Sequence, residues 1–334
     1  MELDGVYMHL RTYPLIIILI IGLIGNCFIF AIFLRKNFRT STITIYIRIL
    51  AVADSVLLLA AAVPNIYRGF HGDMGEIDRT SVACVIQRLI MFIAGDISVW
   101  TLTAITIDRL VAVVYPHQNS FWKSNKNTLF VLIVIFALSL LKNFPVFFTL
   151  ASINGTRCAA RTSFEIYEDS VRPIISLILY YLIPTITMTV CTVMILKEMR
   201  KIVGKIRAMS NPNRNSVSAD YMKNHYSKSL TKMSIAINIL FFVLITPSIT
   251  IWTLMSYAKD INADAIALCY DITNILVFSH HSLNFYLFFF TGPRFRREVL
   301  IIFNDKYANV TDSRDYSNKT NPAEAIQYKE TSFK

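Results

Sequence analysis

Seven long apolar stretches constrain what this chain can fold into more than any other feature of its sequence. The hydrocarbon core of a bilayer is about 30 Å thick and needs roughly 20 apolar residues for each helical crossing. The stretches are continuous, whereas strands of membrane β-barrels are short and alternate between polar and apolar residues. We therefore predict an all-α membrane protein, a bundle of seven transmembrane helices. The predicted helices cover residues 14–34, 43–63, 83–115, 127–149, 173–196, 230–257 and 265–290.

Lysine and arginine are distributed unequally between the two sides of the predicted bundle. The side with the carboxyl-terminal tail holds 22 of them, and the opposite side holds seven. Because basic segments stay in the cytoplasm, we predict an extracellular amino terminus (1–13), a membrane domain (14–303) and a flexible cytoplasmic tail (304–334). A net charge of +11 is also typical of nucleic-acid-binding proteins. The positive-inside rule accounts for this charge, so no nucleic-acid partner is expected.

Two cysteines and a glycosylation sequon lie on the predicted outer side of the membrane. Cys84 is at the outer end of the third helix and Cys158 is in the loop after the fourth. The outer side is oxidising, so we predict a disulfide between them. Cys269, near the outer end of the seventh helix, leaves other pairings open. The sequon begins at Asn154, which we predict to be glycosylated.

Ionisable residues inside apolar runs are costly to bury, so each is a candidate functional residue. Asp54 lies in the middle of the second helix, Asp96 lies in the middle of the third, and Arg109 lies at the cytoplasmic end of the third. Ser98 and Arg109 share one helical face, and Asp96 points roughly 160° away from Ser98. Polar residues on opposite faces predict that the third helix is central and contacts its neighbours around most of its circumference.

Several of these polar residues also have simpler explanations. Asp96 is better explained by a hydrogen bond to a neighbouring hydroxyl, such as that of Tyr180 or Tyr181. His280 and His281 are better explained as packing residues than as metal ligands, because a zinc site needs three or four ligands. Charged residues near the helix ends reach water with their long side chains; these are Arg48, Arg88 and Lys142.

Sequence landmarks fall in register along the chain and together resemble the rhodopsin-like (class A) family of G-protein-coupled receptors. They are Gly25-Asn26, Leu50 to Asp54, Cys84, Asp108-Arg109-Leu110, Pro116, Pro184, Phe241, Pro247, Asn284 to Phe288 and Phe295-Arg296. Each landmark alone is weak, and their joint order and spacing are specific. The resemblance covers residues 15–303 and implies a seven-helix bundle with a short amphipathic eighth helix.

The resemblance implies a multi-pass receptor of the plasma membrane that activates a heterotrimeric G protein. In this family the arginine that matches Arg109 is restrained by its acidic neighbour, here Asp108. It becomes available to the G protein when the sixth helix swings outward. The residues implied in coupling and activation are Asp108, Arg109, Phe241, Pro247, Asn284 and Phe288.

The same resemblance implies an allosteric ion and regulation at the tail. The family's sodium-binding polar cluster is matched by Asp54, Ser98 and Asn284, and no other cofactor is expected. Receptor kinases and arrestin are implied as partners. Candidate kinase sites in the tail are Ser317, Thr320, Thr331 and Ser332.

The sequence departs from the family pattern at several activation positions. The family's Asn-Pro-x-x-Tyr motif reads Asn-Phe-x-x-Phe from Asn284 to Phe288, which removes the proline and the tyrosine hydroxyl. Ile245 replaces the sixth-helix tryptophan, and Thr192 replaces the fifth-helix tyrosine. We therefore expect activation to depend more on the third-helix arginine, on Phe241 and on Asn284.

The outer half of the bundle indicates a short peptide ligand. Met91 stands where amine receptors of the family carry an aspartate, and residues 265–290 contain no lysine that could bind retinal. The extracellular segments hold ten acidic and seven basic residues, which favours a basic or amidated peptide. Trp252 and the Asn-Phe ending of the seventh helix resemble invertebrate neuropeptide receptors of the FMRFamide type. Candidate ligand contacts, each also explicable by packing, are Gln87, Met91, Asp96, Trp252, Asp271 and Asn274.

A transporter or proton relay that uses Asp54, Asp96, His280 and His281 is the main alternative. The sequence has no inverted repeat and no pair of Gly/Pro-interrupted helices, which are the usual signs of a transport site. An intramembrane hydrolase ranks last, because the chain has no convincing pair of nucleophile and base. We therefore expect a receptor and not an enzyme.

Overall fold

Seven long helices and a short eighth form a bundle in the computed structural model, which describes residues 2–35, 38, 42–71, 81–115, 124–153, 157–208, 218–257 and 263–303. The first four are α1 (Glu2–Phe33), α2 (Ile43–His71), α3 (Ser81–Val114) and α4 (Asn125–Asn143, followed by the turn Val146–Thr149). The fifth, α5, is continuous over the segments Tyr167–Val171, Arg172–Ser176, Leu177–Leu182 and Ile183–Ala208. The last three are α6 (Ser218–Tyr257), α7 (Ala263–Ser282, continued as Asn284–Thr291) and α8 (Pro293–Phe303).

The apolar character of the helices confirms the predicted seven-helix membrane bundle. Among the described residues, six helical stretches, which lie in α1 to α6, are long and apolar enough to cross a membrane. The remaining long helix, α7, carries Asp271, His280 and His281, and it packs against α1, α2 and α6. Large apolar side chains remain exposed on the outside, for example Phe130 (61%) and Leu141 (70%) on α4. In a bilayer these side chains face lipid.

Several helices extend beyond their predicted ends. α1 begins at Glu2 rather than at Pro14, α2 continues through Pro64 to His71, and α5 begins at Tyr167. Hydropathy marks only the part of a helix that crosses the hydrocarbon. A helix continues into the polar region as long as its backbone hydrogen bonds are satisfied, so its true ends are not visible in an apolar pattern.

The third helix is central, as its polar faces predict. α3 contacts α2, α4, α5 and α6, and every residue from Thr101 to Thr106 is buried. Apolar side chains on α3, including Val99 and Leu102, join the main core of the bundle. A polar residue on almost any face of this helix therefore meets another helix rather than lipid.

A close contact between α1 and α7 explains the Gly25-Asn26 landmark. A Cβ atom added to Gly25 would lie 2.9 Å from Phe285 Cβ, so a larger residue would push the two helices apart. Asn26 Nδ2 donates to the backbone carbonyl of His281 at 3.2 Å. α7 is interrupted two residues later, at Leu283 (φ −90°, ψ −3°). The donor of Asn26 thus lies beside the point at which α7 is interrupted, and this interruption occurs without the proline of the family motif.

A two-stranded antiparallel sheet follows α4, and the sequence analysis did not predict it. β1 (Leu150–Ile153) pairs with β2 (Arg157–Ala160). Cys158 on β2 forms a disulfide with Cys84 of α3, with a Cα to Cα distance of 5.5 Å. This confirms the predicted pairing, and the disulfide fixes the hairpin against the outer end of α3. Asn154, the predicted glycosylation site, lies outside the described residues.

Replacing Cys158 with serine is expected to lower the thermal stability of the protein strongly. The disulfide joins residues 74 positions apart, and a loop of that length corresponds to about 4 kcal/mol in the chain-entropy model. The measurement is the unfolding temperature of the purified protein in detergent. Cys269→Ser is the matched control, because Cys269 is a free cysteine. An unfolding temperature of Cys158→Ser equal to that of the unmodified protein would contradict this expectation.

Candidate functional site

The cytoplasmic end of α3 carries a buried ion pair between two neighbouring residues. Arg109 Nε donates to Asp108 Oδ2 at 3.1 Å, and a terminal nitrogen of the guanidinium contacts the same oxygen. Arg109 is 6% exposed and Asp108 is 4% exposed. Thr42, just before α2, approaches Asp108 Oδ1 at 3.5 Å. Within the described part of the chain, no acceptor other than Asp108 binds Arg109.

One turn further into the membrane, Asn238 connects three helices. Its Nδ2 atom, on α6, donates to Thr106 Oγ1 of α3 at 3.1 Å and to Thr192 Oγ1 of α5 at 3.0 Å. Asn238 is 1% exposed. The sequence analysis did not single out Asn238, and it treated Thr192 only as a substitution. A single asparagine within the apolar sequence of the sixth helix was the available signal.

Above this connection, Phe241 packs against aromatic rings from two other helices. Its ring lies 5.4 Å from the ring of His280 on α7 and 6.4 Å from the ring of Tyr181 on α5. Tyr181 also donates its hydroxyl to Thr246 Oγ1 on α6 at 2.8 Å. Pro247 follows within α6, which continues through it as a helix. An outward movement of α6 would have to break these contacts together with those of Asn238.

Asp54 forms the centre of a fully buried polar cluster. Asp54 Oδ1 accepts a hydrogen bond from Ser98 Oγ at 2.6 Å and lies 2.7 Å from His281 Nδ1. Asp54 Oδ2 accepts from Asn284 Nδ2 at 2.7 Å. The structure thus brings together the three residues predicted for sodium, and it adds His281, which the sequence analysis assigned to packing or to a proton relay.

A sodium ion does not fit beside Asp54 in this arrangement. Hard cations are bound by oxygen atoms, but two of the three groups around the carboxylate, His281 and Asn284, present nitrogen atoms to it. The ring of His281 stands against Oδ1, and Asn284 presents its amide nitrogen to Oδ2 while its oxygen has no hydrogen-bond partner among the described residues. The space next to the carboxylate is therefore occupied by side chains of the protein.

Asp96 belongs to a separate ion pair between α3 and α4. Its carboxylate accepts hydrogen bonds from Lys142 Nζ at 2.5 Å and from Asn143 Nδ2 at 2.6 Å. Asp96 is therefore bound by α4 and not by the hydroxyl of Tyr180 or Tyr181. Lys142, expected to reach for water, turns towards Asp96 instead. A buried carboxylate is costly unless it is paired with a cation and hydrogen-bonded, which explains both differences.

The six residues predicted to contact the ligand have different neighbours in the structure. On α3, Gln87 Nε2 donates to the carbonyl of Ala60 on α2 at 2.8 Å, and Met91 packs against a cluster of α1, α2 and α7. On α6, Trp252 Nε1 donates to Thr273 Oγ1 at 3.0 Å, and its ring stacks on Tyr270 of α7. Asn274 is buried, whereas Asp271 is half-buried. The sequence analysis missed Thr273 and Tyr270.

Two further contacts near the ends of the bundle were also missed. At the outer end, Arg172 of α5 lies 4.4 Å above the ring of Phe92 and pairs with Glu168 at 2.5 Å. At the inner end, Arg35 pairs with Glu298 of α8 at 2.7 Å. Phe288 of α7 belongs to an aromatic cluster with residues of α1, of α8 and of the segment between α1 and α2. That cluster consists of Phe33, Phe38, Phe288 and Phe295.

Comparisons with known proteins place these features in one family. The family model described as 7 transmembrane receptor (rhodopsin family) matches residues 25–285. The thyrotropin-releasing hormone receptor of Bos taurus is 24% identical over 93% of this chain and 83% of its own length. Cysteinyl leukotriene receptor 2 of Sus scrofa is 22% identical over 85% and 79%. G-protein coupled receptor 183-B of Danio rerio is 30% identical, but over only 38% of this chain and 34% of its own length.

Proposed function

Because this chain belongs to the rhodopsin family of seven-transmembrane receptors, we propose that it is a cell-surface receptor that binds a short peptide and activates a heterotrimeric G protein. In this proposal the protein lies in the plasma membrane with its amino terminus outside. Its tail, residues 304–334, is cytoplasmic, and receptor kinases and arrestin act there. The tail lies outside the described residues, so this part rests on the sequence.

The pair of Asp108 and Arg109 is the single observation that carries the coupling proposal. A buried ion pair adds little net stability, since desolvation of the two ions offsets their attraction. A pair that can change partners is useful instead as a switch with two arrangements that differ by a few kcal/mol. Arg109 lies at the inner end of α3 with Asp108 as its partner, where an acceptor on a G protein would compete for the guanidinium.

Movement of α6 would connect the outer half of the bundle to this switch. α6 is tied to α3 and α5 through Asn238 and to α7 through Phe241 and His280. At its outer end, Trp252 bonds to Thr273 on α7. A ligand that changes the contact at Trp252 would shift the equilibrium of α6 between an inward and an outward position. The cytoplasmic end of α6 would then move away from α3.

A peptide ligand is supported by the charge of the outer segments and by a hormone receptor among the relatives. Because Asp96 is engaged by Lys142 and Asn143, it does not offer a carboxylate to the peptide. We propose Asp271 as a ligand contact, because it is half-buried on α7 and follows Tyr270, whose ring stacks on Trp252. That the receptor is of the FMRFamide type remains a prediction from the sequence resemblance. Amidated peptides of this type are therefore tested first.

A proton relay is the less supported alternative. Asp54 and Asp96 have separate partners, on α7 and α3 for Asp54 and on α4 for Asp96. Neither ring nitrogen of His280 has a hydrogen-bond partner among the described residues. A relay needs a contiguous chain of hydrogen bonds, and these four residues do not form one.

The proposal predicts a response to a peptide in cells that express the receptor. A library of short basic and amidated peptides is screened with calcium and cAMP readouts, and a leukotriene is included because one relative is named for leukotrienes. We expect a saturable response to at least one peptide and none to the leukotriene. The control is the Asp271→Asn variant, whose response to the same peptide should require a higher concentration. A response to the leukotriene alone would contradict the peptide assignment. Uptake of a radiolabelled ligand into the cells, without ligand binding that is sensitive to guanine nucleotides, would favour the transporter.

A further inference from the structure

The imidazole ring of His281 makes the Asp54 cluster different from a cation-binding site. Its Nδ1 atom lies 2.7 Å from Asp54 Oδ1 and 3.4 Å from Ser98 Oγ. An ion bound to both of these oxygens would need the space that the imidazole ring fills. Asp54, Ser98 and His281 are all 0% exposed, so the ring has no route to solvent without a rearrangement of the helices.

The backbone of His281 is bonded to α1, and its ring lies in a packed part of the bundle. The backbone carbonyl of His281 accepts a hydrogen bond from Asn26 of α1 at 3.2 Å. The ring meets that of His280 edge to face, with 4.8 Å between the ring centroids, and His280 is in turn packed against Phe241 of α6. Close packing in a protein interior leaves few alternative positions for a side chain of this size.

The protein itself supplies the donors that the buried carboxylate of Asp54 requires. Ser98 and His281 approach Oδ1, and Asn284 donates to Oδ2. A buried anion is costly unless its oxygens are hydrogen-bonded or paired. With donors from α3 and α7 on both oxygens, the cluster meets this requirement without an ion.

We propose that the ring of His281 stands in for the sodium ion at Asp54, so that α2, α3 and α7 are held together by side chains alone. The stability of this receptor is then independent of sodium. Its consequence for signalling, a ligand affinity that sodium does not change, rests on the proposed receptor function. The sodium-independent stability does not depend on that function.

The test compares unfolding temperatures of the purified full-length receptor in sodium chloride, potassium chloride and N-methylglucamine chloride at equal ionic strength. No ligand or G protein is added, so an absence of signalling would not affect the result. We expect the same unfolding temperature for the unmodified receptor in all three salts. His281→Ser removes the ring and leaves a hydroxyl oxygen, and this variant should gain a saturable rise that is specific to sodium. At ten times the dissociation constant, the folding equilibrium shifts about elevenfold.

His280→Ser is the matched control. His280 is the neighbouring buried histidine, and it contacts Phe241 and His281 rather than the Asp54 carboxylate. This variant should show no sodium response. Addition of Asp54→Asn to His281→Ser should remove the response that His281→Ser gains, because the anionic ligand is then lost.

Two results would overturn the proposal. One is a saturable, sodium-specific rise in the unfolding temperature of the unmodified receptor. The other is the lack of a sodium response in both His281→Ser and His281→Asn, which would mean that something other than the ring keeps the ion out. If either variant fails to fold, the measurement on the unmodified receptor still decides whether sodium binds.

Discussion

Arg109→Ala is expected to abolish agonist-driven nucleotide exchange while the receptor remains at the cell surface. The guanidinium is bound to Asp108 in this structure, and in the proposed mechanism it is released to an acceptor on the G protein. Alanine cannot make that contact. Folding should survive because Asp108 keeps its contact with the hydroxyl of Thr42 when the guanidinium is gone. The measurements are guanine-nucleotide exchange in membranes and surface labelling of intact cells.

Arg48→Ala is the matched control for this substitution. Arg48 lies near the cytoplasmic end of α2, and its Nε atom donates to the backbone carbonyl of Thr44 at 3.3 Å. Its loss should leave exchange close to that of the unmodified receptor. Normal exchange by Arg109→Ala, at equal surface density, would remove the role proposed for the arginine.

The complementary substitution, Asp108→Asn, tests the same switch without a ligand. Hydrogen bonds to charged groups contribute about 1.5–3 kcal/mol, and each 1.36 kcal/mol corresponds to about a tenfold change in rate. We therefore expect agonist-free exchange to rise roughly tenfold or more. Addition of Arg109→Ala to Asp108→Asn should return it to the level of membranes without receptor. An unchanged agonist-free rate would show that Asp108 does not restrain the arginine.

Lys142→Met is expected to cause a large loss of stability. Asp96 is 2% exposed, and Lys142 is its charged partner. Removal of one member of a buried ion pair costs about 3–5 kcal/mol, because the other charge is left uncompensated. The measurements are the unfolding temperature and the amount of receptor at the cell surface, and both should fall sharply.

The double variant Asp96→Asn with Lys142→Met should recover most of that loss. Replacement of both ions by neutral groups removes the uncompensated charge, and such replacements are often close to neutral. Lys201→Met is the control, since Lys201 pairs with Glu198 in an exposed position where ion pairs contribute at most about 1 kcal/mol. If Lys142→Met is as stable as Lys201→Met, the α3 to α4 pair is not important for the fold.

The number and class of the helices were predictable because they depend on local composition. A backbone in lipid must satisfy its own hydrogen bonds, so a long apolar run forms a helix whatever surrounds it. The ends of α1, α2 and α5 were not predictable, since a helix does not stop where its apolar residues stop. The β1 and β2 hairpin was missed because its strands are only four residues long each.

Some contacts in the candidate site were also predictable from the sequence, and others were not. The restraint of Arg109 by Asp108 was foreseen through the family resemblance, because neighbouring residues on a helix do not in general face each other. The joint position of Asp54, Ser98 and Asn284 was foreseen through the family resemblance. The partners of Asp96 and the place of His281 were not foreseen, because polar residues on two faces of a helix do not reveal which neighbour each face meets.

The sequence by itself determined that this chain crosses a membrane as a helical bundle and that Arg109 has an acidic neighbour, and it favoured the disulfide between Cys84 and Cys158 over the pairings that Cys269 left open. These features follow from runs of one residue type, from neighbouring residues in the chain, or from the side of the membrane on which a residue lies. Only the tertiary structure decided that Lys142 reaches Asp96 across 46 positions and that His281 reaches Asp54 across 227. The rotation and spacing of packed helices select such partners, and both arise from the sum of many weak contacts spread over the whole chain.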